Sequence, residues 1–261
     1  MGAHRAVVIA LAALAGLVFG SFASVVAHRV PRREPFLWGR SRCLSCAHEL
    51  GARENIPLVS YLWQRGRCLH CGAPIALRYP LIEVATAALF ALSFARFGLS
   101  VTAFVYAAFF WVLVVLTVID IDHHLLPTRI VYPALVAGWV GLVAATLVSG
   151  DLERLVDALA GAAIFGGFMF VVAFVYPAGM GGGDVRLALV LGTFLGYIDA
   201  PGIVLVGMFL SFLIGAFIGI VTIKATGGSR KMQLPFGPSL ALGTVLAVFL
   251  GRPLLDAYLS F

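Results

Sequence analysis

Eight runs of apolar residues constrain this chain more than anything else in it. They lie near 6–27, 81–98, 101–119, 130–149, 158–176, 186–199, 202–223 and 238–257. A helix needs about 20 apolar residues to cross a hydrocarbon core of about 30 Å. In lipid every backbone polar group must also be satisfied inside the element, which leaves helices as the natural spanning form for such runs. The expectation is an all-α polytopic membrane protein with about eight transmembrane helices. The run 186–199 is short for a span, which predicts a tilted helix or one partly buried among its neighbours. Composition agrees: 61% of residues are hydrophobic, 11% are charged and the mean hydropathy is +1.03. A soluble domain carries about 25% charged residues. His4, Arg5 and the run from Ala6 to Phe19 imitate a secretory signal. The apolar character continues to Val26, however, and the basic residues lie mainly after it, so the first run reads as a retained span.

Only one polar stretch, 28–80, is long enough to form a separate unit. The chain thus divides into a first transmembrane helix at 1–27, a cytoplasmic loop domain at 28–80 and a helical membrane domain at 81–261. Nine arginines fall between Arg29 and Arg78. With that loop in the cytoplasm, alternation places 120–129, 177–186 and 224–237 there too, adding Arg129, Arg186, Lys224, Arg230 and Lys231. Arg5, Arg96, Arg154 and Arg252 are left on the other side. This asymmetry is the positive-inside pattern. The net charge of +6 is therefore topological and directed at lipid headgroups, with no nucleic-acid partner expected.

All four cysteines sit in the basic loop, as Cys43-Leu-Ser-Cys46 and Cys68-Leu-His-Cys71. A CxxC turn presents two thiolates to one ion, and two such turns complete a closed tetrahedral zinc site. A disulfide framework is the weaker reading for a loop facing a reducing cytoplasm. Four thiolates leave no open position, so the zinc is structural. It stabilises a loop poor in large apolar residues. His48 and His70 are expected merely nearby.

Two acidic positions carry the chemistry. Asp120 ends the third run within Ile119-Asp120-Ile121-Asp122-His123-His124-Leu125-Leu126-Pro127. Asp184 follows Gly179-Met180-Gly181-Gly182-Gly183. The 64 residues between the two acids hold one span out and one back, which returns the chain to the same face. Two close carboxylates share a proton, and such a pair can activate water and polarise a peptide carbonyl. Gly181, Gly182 and Gly183 would let an extended peptide backbone come close. Other readings stand beside this one. Asp120 and Asp122 are also suited to be loop acids paired with Arg129. With His123 and His124 they offer carboxylate and imidazole ligands for a metal. Intramembrane acids also occur in ion-coupled transporters, and a non-enzymatic transport or assembly protein with a zinc-stabilised loop is the alternative class.

The ordered motifs resemble one family. Gly20-Ser21-Phe22-Ala23-Ser24-Val25-Val26 precedes Arg29-Val30-Pro31, and the CxxC turns flank Glu54-Asn55-Ile56-Pro57-Leu58-Val59-Ser60-Tyr61. Arg78-Tyr79-Pro80-Leu81-Ile82-Glu83, the two aspartate motifs and Pro235-Phe236-Gly237-Pro238 follow. The series is similar to the bacterial prepilin peptidases, the type IV leader peptidases of the GxGD aspartic protease group. The resemblance implies a multi-pass inner-membrane enzyme with its active site facing the cytoplasm. It implies removal, after a Gly, of the basic leader of type IV prepilins or type II secretion pseudopilins. Methylation of the new N-terminus from S-adenosylmethionine is expected to follow, with segment 28–80 associated with that step. By position Asp120 and Asp184 match the catalytic pair, with Asp122 the runner-up for the first, and Gly181 and Gly183 match the signature glycines.

Overall fold

The computed structural model describes residues 2–177, 180–226 and 235–260; Gly179, Arg230 and Lys231 lie outside them. Among the described residues nine α-helices follow one another: α1 (Gly2–Arg29), α2 (Val59–Trp63), α3 (Arg78–Phe97), α4 (Val101–His123), α5 (Thr128–Ser149), α6 (Glu153–Val175), α7 (Gly182–Gly196), α8 (Gly202–Thr226) and α9 (Gly237–Leu259). A short 3-10 turn covers Ala52–Asn55. Among the described residues the only β features are two isolated bridges, Arg42 with Glu49 and Arg67 with Pro74.

Proline and glycine mark where the helices start and stop. Pro80 and Pro238 stand in the first turns of α3 and α9, where no helical N–H partner is lost. Gly150, at φ 77°, takes the left-handed conformation that ends α5, and its N–H donates to the Thr146 carbonyl. Seven of the helices are long and apolar enough to cross a membrane: α1, α3, α4, α5, α6, α8 and α9. The eighth apolar run becomes α7, only 15 residues long. At 1.5 Å per residue it falls well short of a span of about 30 Å. Its residues are instead buried almost continuously from Leu187 to Gly196 by other helices.

The chain forms two compact units, Met1–Val118 and Ile119–Phe261, which divide inside α4. In the first unit α1 lies along α3. The contact runs down a stripe of small residues, Ala12, Gly16, Gly20, Ala23 and Ala27, spaced three to four apart. A Cβ added at Gly16 would stand 2.6 Å from the Ala87 Cα, and one at Gly20 would stand 2.6 Å from the Glu83 Cα. The backbones therefore touch, as small-xxx-small pairs allow in membranes. The opposite side of α1 shows Val7, Leu11, Leu14 and Val18, all more than half exposed and suited to lipid. Trp111 of α4 donates its indole N–H to the Phe19 carbonyl at 2.8 Å and stacks on Phe22.

In the second unit α6 pairs with α7 and α8 with α9, while α7 also touches α5, α8 and α9. Gly161 on α6 meets the backbone of Gly192 and Gly196 on α7. Gly243 on α9 meets Ser211 on α8, whose hydroxyl donates to the carbonyls of Gly207 at 2.7 Å and Leu240 at 3.3 Å.

Gly20→Ile fills a space that does not exist and is expected to destabilise the first unit by about 1–3 kcal/mol or more. Val18→Ile, on the exposed side of the same helix, stays within about 0.5 kcal/mol. Denaturation midpoints in detergent measure both, and equal shifts would contradict this account of the helix contact.

Candidate active site

Asp120 occupies the last full turn of α4 and is 5% exposed. Its Oδ2 accepts the Gly237 N–H at 2.9 Å, at the beginning of α9. A helix N-terminus is the positive end of the peptide dipole, so this is a favourable place for a carboxylate. Gly237 has no room for a side chain, because a Cβ there would lie 2.7 Å from the same oxygen. Asp122 is two residues on, which is about 200° around an α-helix, and it is exposed. Spacing along the chain leaves these two acids open as alternatives; Asp120 is the buried one and Asp122 the exposed one.

Asp184 is in the first turn of α7, following Gly181, Gly182 and Gly183. It therefore stands ahead of the apolar run 186–199 and outside the seven long helices. Gly181 is extended, and its carbonyl accepts the Asp184 N–H at 3.1 Å. Burial pushes the Asp184 carboxyl up to about 6, the neighbouring Asp120 carboxyl adds to this, and a hydrogen bond from the Gly181 backbone opposes it. The two aspartates picked out in the sequence thus lie within electrostatic reach of each other in one unit.

The three glycines differ. Gly181 and Gly182 are exposed, and a Cβ at either would keep at least 3.5 Å from its nearest neighbour. Gly183 is half-buried, and a Cβ there would come within 3.1 Å of the Leu126 Cβ. Gly183 thus seats α7 against the Leu125-Leu126-Pro127 corner. His124, at φ 52°, closes α4 in the left-handed region and is exposed. Gly237 belongs to the motif Pro235-Phe236-Gly237-Pro238, to which the sequence alone assigns no role. The Gly-Pro pair offered the signal, since proline in a first helical turn implies free N–H groups beside it.

The loop of the first unit contains two copies of one turn. Cys43 N–H donates to the His48 carbonyl and Ala47 N–H to the Cys43 carbonyl, both at 2.9 Å. Cys68 with Ala73 and Gly72 with Cys68 repeat these bonds at 2.9 Å. The residue after each second cysteine, Ala47 or Gly72, has positive φ. The four sulfurs lie within 4.8 Å of one another, with 3.9 Å between Cys43 and Cys71. Sulfurs about 2.3 Å from a tetrahedral zinc stand about 3.8 Å apart, so the group fits that ion. The Cys46 amide, followed by that of Ser45, holds the Cys43 thiol down at about 6. Cys46 accepts the His48 amide, which lowers it, yet desolvation and the other three thiols push it up to about 11. Four clustered sulfurs cannot all ionise by themselves, and a divalent cation removes that conflict.

Arg29, in the last turn of α1, ties the loop down. Its guanidinium donates to the carbonyls of Pro35, Trp38, Gly39 and Arg40, the shortest bond being 2.7 Å to Trp38. Glu83 of α3 is buried and accepts the Leu58 N–H at 2.8 Å, at the head of α2. Between the loop and the ends of α1 and α3 is a cavity of about 770 Å³, with Ser24, Glu34, Trp38, Tyr61, Tyr79 and Glu83 in its wall.

These features define a multi-pass helical membrane protein with a buried and a half-buried carboxyl group in one unit and, in the other, a four-cysteine cluster that could hold a metal ion. Comparison with known proteins agrees with both parts. The bacterial peptidase A24 N-terminal domain matches residues 14–97, and the type IV leader peptidase family matches residues 107–220. A Pseudomonas aeruginosa protein named prepilin leader peptidase/N-methyltransferase is 33% identical, covering 100% of this chain and 97% of its own. Proteins of the same name from Bacillus subtilis and Aeromonas hydrophila are 34% and 35% identical, over 94% and 95% of this chain and 95% and 92% of theirs. No solved structure matches the chain. The chain belongs to the type IV leader peptidase family. That membership sets aside the transport-or-assembly alternative.

Chelation, or Cys46→Ser, is expected to expose segment 28–80 to proteolysis while the membrane helices stay intact. A digestion pattern unchanged by metal removal would contradict a structural zinc.

Proposed function

We infer that this chain is a prepilin peptidase that also carries N-methyltransferase activity, as its family and its similarly named relatives support. Asp120 and Asp184 are our catalytic pair. The observation that carries this choice is the electrostatic coupling of a buried Asp120 to an Asp184 whose carboxyl is pushed up to about 6. In the working form the pair holds one proton. The Gly237 amide and the start of α9 stabilise negative charge on Asp120, and Asp184 keeps the proton. Asp120 takes a proton from water, the water oxygen attacks the scissile carbonyl carbon, and Asp184 donates to the carbonyl oxygen. Collapse of the resulting diol returns a proton to the leaving amine and breaks the C–N bond. The exposed face at Gly181 and Gly182 gives the peptide backbone its approach.

The substrate is a type IV prepilin or type II secretion pseudopilin, cut after Gly on the cytoplasmic side of the inner membrane. The nine arginines of segment 28–80, the most basic stretch between the apolar helices, support that orientation. Segment 28–80 serves methyl transfer, with S-adenosylmethionine as donor. The cavity of about 770 Å³ suits it in size. S-adenosylmethionine supplies an electrophilic methyl group on a cationic sulfur. Glu34 and Glu83 in its wall suit that charge, and Trp38, Tyr61 and Tyr79 offer aromatic faces to it. The cavity is framed by the ends of α1 and α3.

Asp120→Asn and Asp184→Asn are each expected to lower leader cleavage by about 10²–10⁴-fold or more, with expression retained. Asp122→Asn leaves it within a few-fold. Mass spectrometry of a prepilin incubated with each variant reads this, and full cleavage by the double variant would overturn the assignment. Methylation of an already cleaved pilin persists in both variants, because the proposed donor cavity lies in the other unit.

The pH dependence follows from the raised Asp184 carboxyl. The single shared proton is present below about 6 and is lost as pH rises through that value. Cleavage on the alkaline side is therefore expected to fall about tenfold per pH unit. An alkaline limb that titrates near 9 would assign the working proton to another group.

A further inference from the structure

A second set of ligand atoms converges beside the four cysteines. His48, Glu54 and His70 bring one donor atom each to within 4.8 Å of one another. They come from three places in the loop: His48 follows the first CxxC turn, His70 is inside the second, and Glu54 belongs to the 3-10 turn at Ala52–Asn55. We propose that these three side chains form a second divalent-cation site, distinct from the four-cysteine site and suited to a borderline ion such as zinc.

The geometry fits an ion better than it fits direct hydrogen bonding. His48 Nε2 stands 3.8 Å from Glu54 Oε2. That is too long for an N–H···O bond, which lies at 2.7–3.2 Å. Two ligands of one tetrahedral zinc, each about 2.0–2.1 Å from it, are about 3.4 Å apart, so closing on an ion needs a shift of only a few tenths of an ångström. The two imidazole rings are 3.4 Å apart between centroids and tilted by 32°, so they stack without an ion and must swing apart for both nitrogens to reach one.

Glu54 gives an independent reason. Its side chain is 13% exposed. Oε2 accepts the Gly51 N–H at 2.8 Å, but Oε1 is buried without a hydrogen-bond partner. A buried carboxylate oxygen left unpaired is costly, and a cation is the usual compensation. The nearby arginines do not meet this need, since Arg40 and Arg42 both turn to Glu49. The carboxylate is held in place from behind, because Gln64 donates to the Glu54 backbone carbonyl at 3.3 Å.

Two imidazoles and a carboxylate are nitrogen and oxygen donors suited to zinc or cobalt, whereas magnesium and calcium prefer oxygen alone. Three protein ligands leave a fourth position to water. His48 is 36% exposed at its side chain, so an ion can enter and leave. The site is therefore expected to exchange faster than the closed cysteine site. Glu54 also lines the large cavity of this unit, so an ion here changes the charge of the cavity wall.

Titration of the metal-free full chain in detergent with cobalt tests the proposal, because thiolate ligands announce themselves by charge-transfer absorption and imidazole or carboxylate ligands do not. The wild-type protein is expected to bind two ions per chain. The first brings the thiolate charge-transfer bands, and the second adds only weak visible bands. His48→Ala with His70→Ala is expected to bind one ion with those charge-transfer bands intact, which also shows the loop is folded. Wild-type saturation at one ion, or a second ion retained at unchanged affinity by the double variant, would overturn the proposal. If the double variant loses both ions, the isosteric Glu54→Gln decides. The proposal requires the second ion to bind at least tenfold more weakly there with the first unaffected, and unchanged affinity counts against it.

Discussion

Direct backbone contact between helices at glycine is the constraint on which the rest of this structure depends. In a bilayer no water is released when apolar helices meet, so association relies on close packing. Gly16 and Gly20 bring α1 onto α3, Gly161, Gly192 and Gly196 bring α6 onto α7, and Gly243 brings α9 onto α8. The consequence reaches the acids. α7 is too short to be held by spanning lipid, and its C-terminal half is locked by α6 with the other neighbours around it. That clamp sets where its first turn, with Asp184, must lie. The α8–α9 contact in turn sets the start of α9, where the Gly237 amide reaches Asp120.

Buried carboxyl groups in such a setting need compensation from groups already in place. Here helix N-termini provide much of it. Asp184 is in the first turn of α7, and Asp120 accepts from the first residue of α9. Each acid is thus set against a positive helix end and its free N–H groups. Compensation is partial, because each acid also feels the other. The glycine at 237 serves the same balance, since any side chain there would displace the carboxylate from its donor.

Much of this was legible in the sequence, for identifiable reasons. Hydrophobic runs of about 20 residues have one stable outcome in lipid, so the helices fell where expected. The run 186–199 was too short, and that shortness pointed to its burial. The second acidic position had one candidate because Asp184 stands alone after its glycines. The first had two, because residues two apart in the chain differ by rotation about a helix axis that spacing does not reveal. Gly183 showed the limit of reading glycines as openings, since its bareness accommodates Leu126. Arg29 was grouped with topological charge, yet its five donors match carbonyls that only the folded loop brings together.

The loop poses a different folding problem from the helices. Between residues 30 and 79 only Gln64 and Cys68 are buried, while Leu37, Trp38, Leu44, Leu62, Trp63 and Leu69 are each at least 66% exposed. A segment with so small a core cannot hold its shape by apolar burial. Point attachments take over that role: the Arg29 guanidinium on four carbonyls, the Glu83 carboxylate on Leu58, and four convergent cysteine sulfurs. Each attachment joins the loop to a spanning helix or to itself, and none requires a dry interior. The large exposed side chains are then free for the headgroup layer, where tryptophan in particular is favoured. A loop built this way keeps its cavity beside the ends of α1 and α3 without sealing it under a hydrophobic lid.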